Sequence, residues 1–163
     1  MIARTNKVEP ARGTRTRYER LRRYAPLAGW MLLIFLASTG ELSASNTSRI
    51  LRPLLLWLFP EISEATLMRA HFLVRKAAHF TEYAVLAILA ARAFTASSHQ
   101  TLRRAWGYAT LLLVILYSLS DEYHQTFVAS RTGSIYDSFI DMAGGLTALT
   151  LYALWRKKAK VKR

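Results

Sequence analysis

An all-α, membrane-embedded four-helix bundle with a short interfacial or re-entrant apolar segment is the architecture predicted by this sequence of 163 residues. Three observations lead there. Hydrophobic residues, 52% of the chain, collect in long runs at about 24–39, 72–94, 102–120 and 138–155. The 23 Lys and Arg residues collect mainly in the pieces between and beyond those runs. The ionisable residues that do enter the helical stretches gather toward one end of them.

Residues 1–23 carry eight basic and two acidic residues without apolar periodicity, which predicts a flexible cytoplasmic tail. The run 24–39 contains Trp30 and is slightly short for a hydrocarbon core of about 30 Å, which calls for about 20 residues. An Arg-rich start, a short apolar run and the small residues Ser43-Ala44-Ser45 also fit a cleavable signal peptide, but a retained anchor is the preferred reading. Residues 41–49 are polar and read as a loop. The apolar stretch 50–59, with Trp57 and bracketed by Pro53 and Pro60, is too short to span a bilayer; it is expected to lie in the interface or dip into the bundle.

The run 72–94 opens with Arg75, Lys76, His79, Glu82 and Tyr83, which together with Phe72 fall within an arc of about 120° on a helix. One ionised group at the centre of such a helix costs roughly 2.5–3.5 kcal/mol on insertion scales, so this side must meet partners from other helices. After a polar loop at 95–104, the run 102–120 ends in Asp121-Glu122-Tyr123-His124-Gln125. A loop with Arg131 and Gly133 follows. The run 138–155 is preceded by Asp137, interrupted by Asp141 and closed by a basic cytoplasmic tail, 156–163. Asp137, Asp141, Gly144 and Ala148 share one face, the last two in a small-xxx-small pattern that lets a neighbouring helix approach closely.

The N-terminus, the 95–104 loop with Arg92 and the C-terminal tail hold 17 of the 23 basic residues, whereas eight of the ten acids belong to the opposite side. This is a positive-inside signature for four spans with both termini cytoplasmic. The net charge of +13 is thus topogenic, with some attraction to anionic membrane lipids, and nucleic acid is not expected as a partner. The chain has no cysteine, which excludes disulfides and thiolate metal sites.

With that topology the polar clusters of three helices meet near the outer boundary. Glu82, Asp121, Glu122, Asp137 and Asp141 face the cations Arg75, Lys76 and Arg131, so the patch is near −2 with neutral histidines. Such a site could share protons, hold a divalent cation or grip a polar headgroup. His79 and Glu82 at i, i+3 could bind a metal, although a structural hydrogen-bond pair is the commoner meaning of that spacing. Asp137 and Asp141 could serve metal or phosphate chemistry, or lock the bundle by pairing with Lys76 and Arg131.

Arg75-Lys76-Ala77-Ala78-His79-Phe80-Thr81-Glu82-Tyr83, Ser120 through Val128, Arg131-Thr132-Gly133-Ser134 and Asp137 through Gly144 resemble, in order and spacing, the VanZ-like family of small bacterial integral membrane proteins. The resemblance implies that Lys76, His79, Glu82, Asp121, Glu122, Gln125, Arg131 and Asp137 occupy motif positions of that family, and it implies the bacterial plasma membrane as location. The namesake is associated with resistance to the glycopeptide teicoplanin. Two departures are Ala129-Ser130, where Pro-Gly is often seen, and Asp141, where Asn is expected.

The leading functional expectation is an outer-face pocket that binds, and in one version modifies, an envelope lipid or glycan precursor. Arg75, Lys76 and Arg131 would hold a phosphate or carboxylate, with His124, Gln125, Asp137 and Asp141 also lining the pocket. His79, Glu82, Asp121 and Glu122 would act as acid or base if chemistry occurs. A metal-dependent hydrolase or transferase within the membrane, with ligands among His79, Glu82, Asp121, His124, Asp137 and Asp141, is one alternative. A non-catalytic scaffold with a structural polar network is another. A proton-coupled transporter is disfavoured, because no acid lies on the cytoplasmic half of any span.

Overall fold

The computed structural model describes residues 12–39, 44–128 and 133–161. These residues form helices and connections, with no strand among them. In chain order the helices are α1 (Arg12–Ser38), α2 (Ala44–Leu58), α3 (Glu64–Thr95), α4 (Gln100–Arg104), α5 (Trp106–Gln125) and α6 (Ile135–Val161).

The four long helices pack up-down-up-down. Tyr24 on α1 donates to Ser97 Oγ just beyond α3, while Trp30 Nε1 reaches back to the Glu82 carbonyl, so α1 and α3 are antiparallel. Lys76 and His79 on α3 meet Asp137 and Asp141 on α6 in the same order, so α3 and α6 are parallel. Between them Gly144 presses on the Phe80 backbone so closely that a Cβ would collide with its carbonyl oxygen. The small-xxx-small face read in the sequence thus lets the two backbones meet at Gly144, one turn beyond Asp141.

The apolar core is small-residue rich: Ala87, Ala90, Ala93 and Ala148 with Leu86, Tyr83, Val114, Leu27 and Ile34. α1 thus contributes fully to the bundle. It also starts earlier than expected: the helix begins at Arg12, inside the stretch read as a flexible tail to residue 23. Arg, Leu and Glu are good helix formers, and a packed C-terminal half supplies the nucleus on which the polar half continues at little cost. Residues 1–11 lie outside the described residues.

The sequence places a loop at 41–49, whereas α2 begins at Ala44 and runs through Pro53 to Leu58. Its Trp57 is 78% exposed, and Leu54, Leu58 and Phe59 are also open. Arg52 fastens it to Glu64 at the start of α3 by a two-pronged ion pair with contacts of 3.1 and 2.5 Å. Ser63 Oγ caps α3 by accepting from Thr66 N. Near the opposite end, α4 absorbs Arg103 and Arg104, and α5 starts only at Trp106, later than the apolar run that began at 102.

No helix among the described residues is long and apolar enough to cross a membrane. Length alone is ample: at about 1.5 Å per residue, α3, α5 and α6, with 32, 20 and 27 residues, extend for about 48, 30 and 40 Å. Apolarity is what falls short, because the polar residues that meet between helices sit within the same stretches. The exterior shows the complementary pattern. Leu112 and Leu116 on α5, Leu151 on α6 and Leu73 on α3 are each 57–64% exposed, whereas Gln125, Ser118, Ser138 and Asp141 have no accessible surface.

Candidate functional site

Three helices bring ionisable groups to one level. α3 supplies Arg75, Lys76 and His79 from its middle, α5 supplies Asp121, Glu122 and Gln125 from its last turns, and α6 supplies Asp137 and Asp141 from its first two turns. α5 continues helically through the acidic stretch to Gln125, which turns Asp121, Glu122 and Gln125 inward together.

The groups fall into an outer and an inner part. At the rim, Asp137 is ion-paired with Lys76 and lies 3.7 Å from Arg75, the two cationic side chains being 18% and 28% exposed. Lys76 also lies over the Phe72 ring, 5.0 Å from its centroid. Deeper, His79 Nδ1 lies 3.1 Å from Asp141 Oδ1, and these side chains are 7% and 0% exposed. One ligand atom each from His79, Glu122 and Asp141 lies within 4.8 Å of the others. Beside them Gln125 Nε2 donates to Asp121 Oδ2 at 3.1 Å.

Glu122 is held by the backbone N–H of Ser134, 2.7 Å from its Oε2, which ties the end of α5 to the start of α6. It lies in the last turn of α5, past that helix's apolar run. Several buried polar atoms have no hydrogen-bond partner: Glu122 Oε1, Asp141 Oδ2, Gln125 Oε1 and Tyr83 Oη. Groups of this kind normally find partners, so four in one volume mark a centre with spare coordinating capacity.

Of the residues selected from the sequence, Arg75, Lys76, His79, Asp121, Glu122, Gln125, Asp137 and Asp141 come together. Glu82 is partly buried one turn further along α3 and is outside the three-residue group of His79, Glu122 and Asp141. His124 turns away: its ring packs on Phe35 of α1, centroids 4.7 Å apart. Arg131, together with Ala129-Ser130, lies outside the described residues. Sequence reasoning missed three contributors. Tyr83, fully buried beside this centre, is i+4 from His79 and was visible as part of the same arc. Ser138 donates to the Ser118 carbonyl at 3.5 Å, and Ser134 acts through its backbone. A main-chain donor leaves no trace in side-chain pattern.

A separate cleft of about 420 Å³, lined by Arg22, Arg23, Arg92 and Tyr152 among others, opens at the opposite end of the bundle, where the basic residues collect.

The fold and this centre define an all-helical protein with a buried acid–imidazole–cation network at one end. The chain belongs to the VanZ/LLP1 family, whose model matches residues 24–156. No curated protein and no solved structure matches it.

Proposed function

We propose that this chain is a multi-pass protein of the bacterial plasma membrane, termini on the cytoplasmic side, whose outer-end polar centre binds the anionic head of an envelope lipid or glycan precursor. The observation that carries the reading is the inverted distribution of polarity. Leucines and aromatics cover the outside of the helices, while serine, glutamine and carboxylates are buried beside a core built largely of small apolar residues. In water that arrangement wastes apolar burial at about 25 cal/mol per Å²; against acyl chains it is favourable, and the buried polar groups face each other as intramembrane ionisable residues do. The charge asymmetry of the connections supports the orientation.

The rim suits an anion. Arg75 and Lys76 are partly open and both held by a single carboxylate, Asp137. Two cations against one acid leave one positive charge for a phosphate or carboxylate, in charge-assisted hydrogen bonds. His79, Asp141 and Glu122 lie beneath, at the position where a headgroup bound by the rim would present its linkage.

The test is retention of phosphate-bearing lipid. Native mass spectrometry of the detergent-purified protein should find a polyprenyl phosphate or pyrophosphate bound to the wild type and lost in Lys76→Ala, with helicity unchanged. In cells the same substitution should abolish an envelope phenotype, such as altered glycopeptide susceptibility, at normal protein level. Equal retention by both proteins would refute the reading. Lipid retention by a folded Lys76→Ala protein would instead favour a scaffold, a reading supported by the close pairing of Lys76 with Asp137 and of His79 with Asp141.

A further inference from the structure

We propose that His79, Glu122 and Asp141 form a binding site for one divalent transition-metal ion, Mn²⁺ or Zn²⁺, at the floor of the polar centre. The inference deepens the functional reading above and rests on that centre being a binding site. Three features carry it. The first is distance: ligand atoms of the three residues lie within 4.8 Å of one another, and His79 Nδ1 and Asp141 Oδ1 are 3.1 Å apart. Metal–ligand bonds of about 2.0–2.2 Å put neighbouring ligands about 3 Å apart, so one pair already has the required spacing and the third needs to close by at most about 2 Å.

The second is unused coordination. Asp141 Oδ2 and Glu122 Oε1 are buried and without hydrogen-bond partners, on residues only 0% and 5% exposed. Two buried carboxylates with free oxygens repel each other, and a dication placed between them removes both the repulsion and the missing contacts. The third is support. Glu122 Oε2 is fixed by Ser134 N–H, so the free oxygen is oriented by the backbone in the manner of an outer-shell contact. Gln125 Oε1, equally buried and unpartnered, offers a neutral oxygen from the next turn of α5.

The donor set selects the ion. One imidazole with two carboxylates, and no thiolate in the chain, suits Mn²⁺ or Zn²⁺ over the all-oxygen sites of Ca²⁺ and Mg²⁺. An ion here would sit directly below the Arg75–Lys76 rim, where it would meet the oxygens of a phosphate bound at that rim.

Tag-free protein, stripped with chelator in detergent, should be titrated with Mn²⁺ and with Zn²⁺ by calorimetry and by thermal unfolding. The expected result is one equivalent bound, with a rise in melting temperature that grows with metal concentration. Glu122→Gln and His79→Gln, both able to keep a hydrogen-bonding group in place, should each weaken binding by more than about 10-fold. Zinc-edge X-ray absorption of the wild type should show a nitrogen/oxygen shell with one imidazole, a readout that needs no variant to fold. Absence of saturable binding, wild-type affinity in both variants, or a shell with two imidazoles would overturn the assignment. Lipid retention is scored on the same preparations: lipid retained by a protein that binds no metal overturns this inference alone and leaves the functional reading standing.

Discussion

The imidazole of His79 on α3 meets the carboxylate of Asp141 on α6 at 3.1 Å, 62 residues away in the chain. This contact exists because the two helices are parallel neighbours with a glycine between them. Gly144 follows Asp141 by three residues and Phe80 follows His79 by one. The two backbones approach each other closely at that level, which fixes the helix separation just below the polar pair. Packing geometry, rather than attraction between the two side chains, sets their distance.

Enlarging residue 144 should therefore separate the polar residues. Gly144→Ala places a methyl group against the Phe80 carbonyl, and backbone cannot give way as a side chain can. The expected cost is about 1–3 kcal/mol from overpacking, measured by thermal or denaturant unfolding in detergent. Gly145→Ala is the comparison: its Cβ would meet Val114 Cγ1 at 2.6 Å and Cγ2 at 3.1 Å, a stiff buried side chain rather than backbone, so a cost is expected here too but a smaller one. Equal losses would show that the α3–α6 approach does not control the packing.

How far the sequence alone reaches can be seen in the same residues. The shared face of Asp137, Asp141, Gly144 and Ala148 follows from helical period, and α6 buries all four. The expected placing of Asp121, Glu122 and Gln125 in one pocket is met because α5 continues through the acidic stretch and buries all three. His124 was expected to line the pocket, and its rotation onto Phe35 was not legible, because it lies only 60° from Asp121 and 100° from Gln125 on its helix and its aromatic partner is on α1. The start of α1 at Arg12 was missed for a different reason. A polar segment without periodicity carries no signal of its own, yet it extends a helix that packing elsewhere has already nucleated.

The rim pair should behave as a buried, coupled unit. Removing Lys76 alone, as Lys76→Met, leaves the nearly inaccessible Asp137 carboxylate with only Arg75 at 3.7 Å, and the expected loss is up to about 3–5 kcal/mol. Pairing it with Asp137→Leu removes both charges, and the double variant should be more stable than the sum of the single losses predicts. A double-mutant cycle on unfolding free energy measures the difference, and a coupling near zero would mean that the two groups do not depend on each other.

Besides the Tyr24–Ser97 contact, two hydrogen bonds to main-chain carbonyls join α1 to α3 and to α5. Trp30 Nε1 donates to the Glu82 carbonyl at 2.9 Å, and Tyr117 Oη donates to the Met31 carbonyl at 2.5 Å. Trp30→Phe and Tyr117→Phe should each lower stability by about 0.5–1.5 kcal/mol, the range for a single intramolecular hydrogen bond. They touch different carbonyls, so their effects should add. Unfolding of the single and double variants checks this, and a double loss well below the sum would indicate that α1 detaches as a unit after the first bond is cut.

Membrane orientation can be read directly, because a chain without cysteine gives a clean background for thiol labelling. Glu61 is exposed just before α3, and Ser98 is exposed in the connection after it. If α3 crosses the membrane with its polar end outward, Glu61→Cys reacts with an impermeant maleimide added to intact cells, or to spheroplasts where an outer membrane blocks entry. Ser98→Cys and Lys158→Cys should then react only after lysis. Both added positions on the basic side must agree, since one follows α3 and the other lies near the end of α6, and the two helices are parallel. Labelling of Ser98→Cys from outside would invert the bundle and place the Arg75–Lys76 rim in the cytoplasmic leaflet. Reaction of all three positions before lysis would mean that the exposed leucines of α5 and α6 face another protein surface instead of lipid.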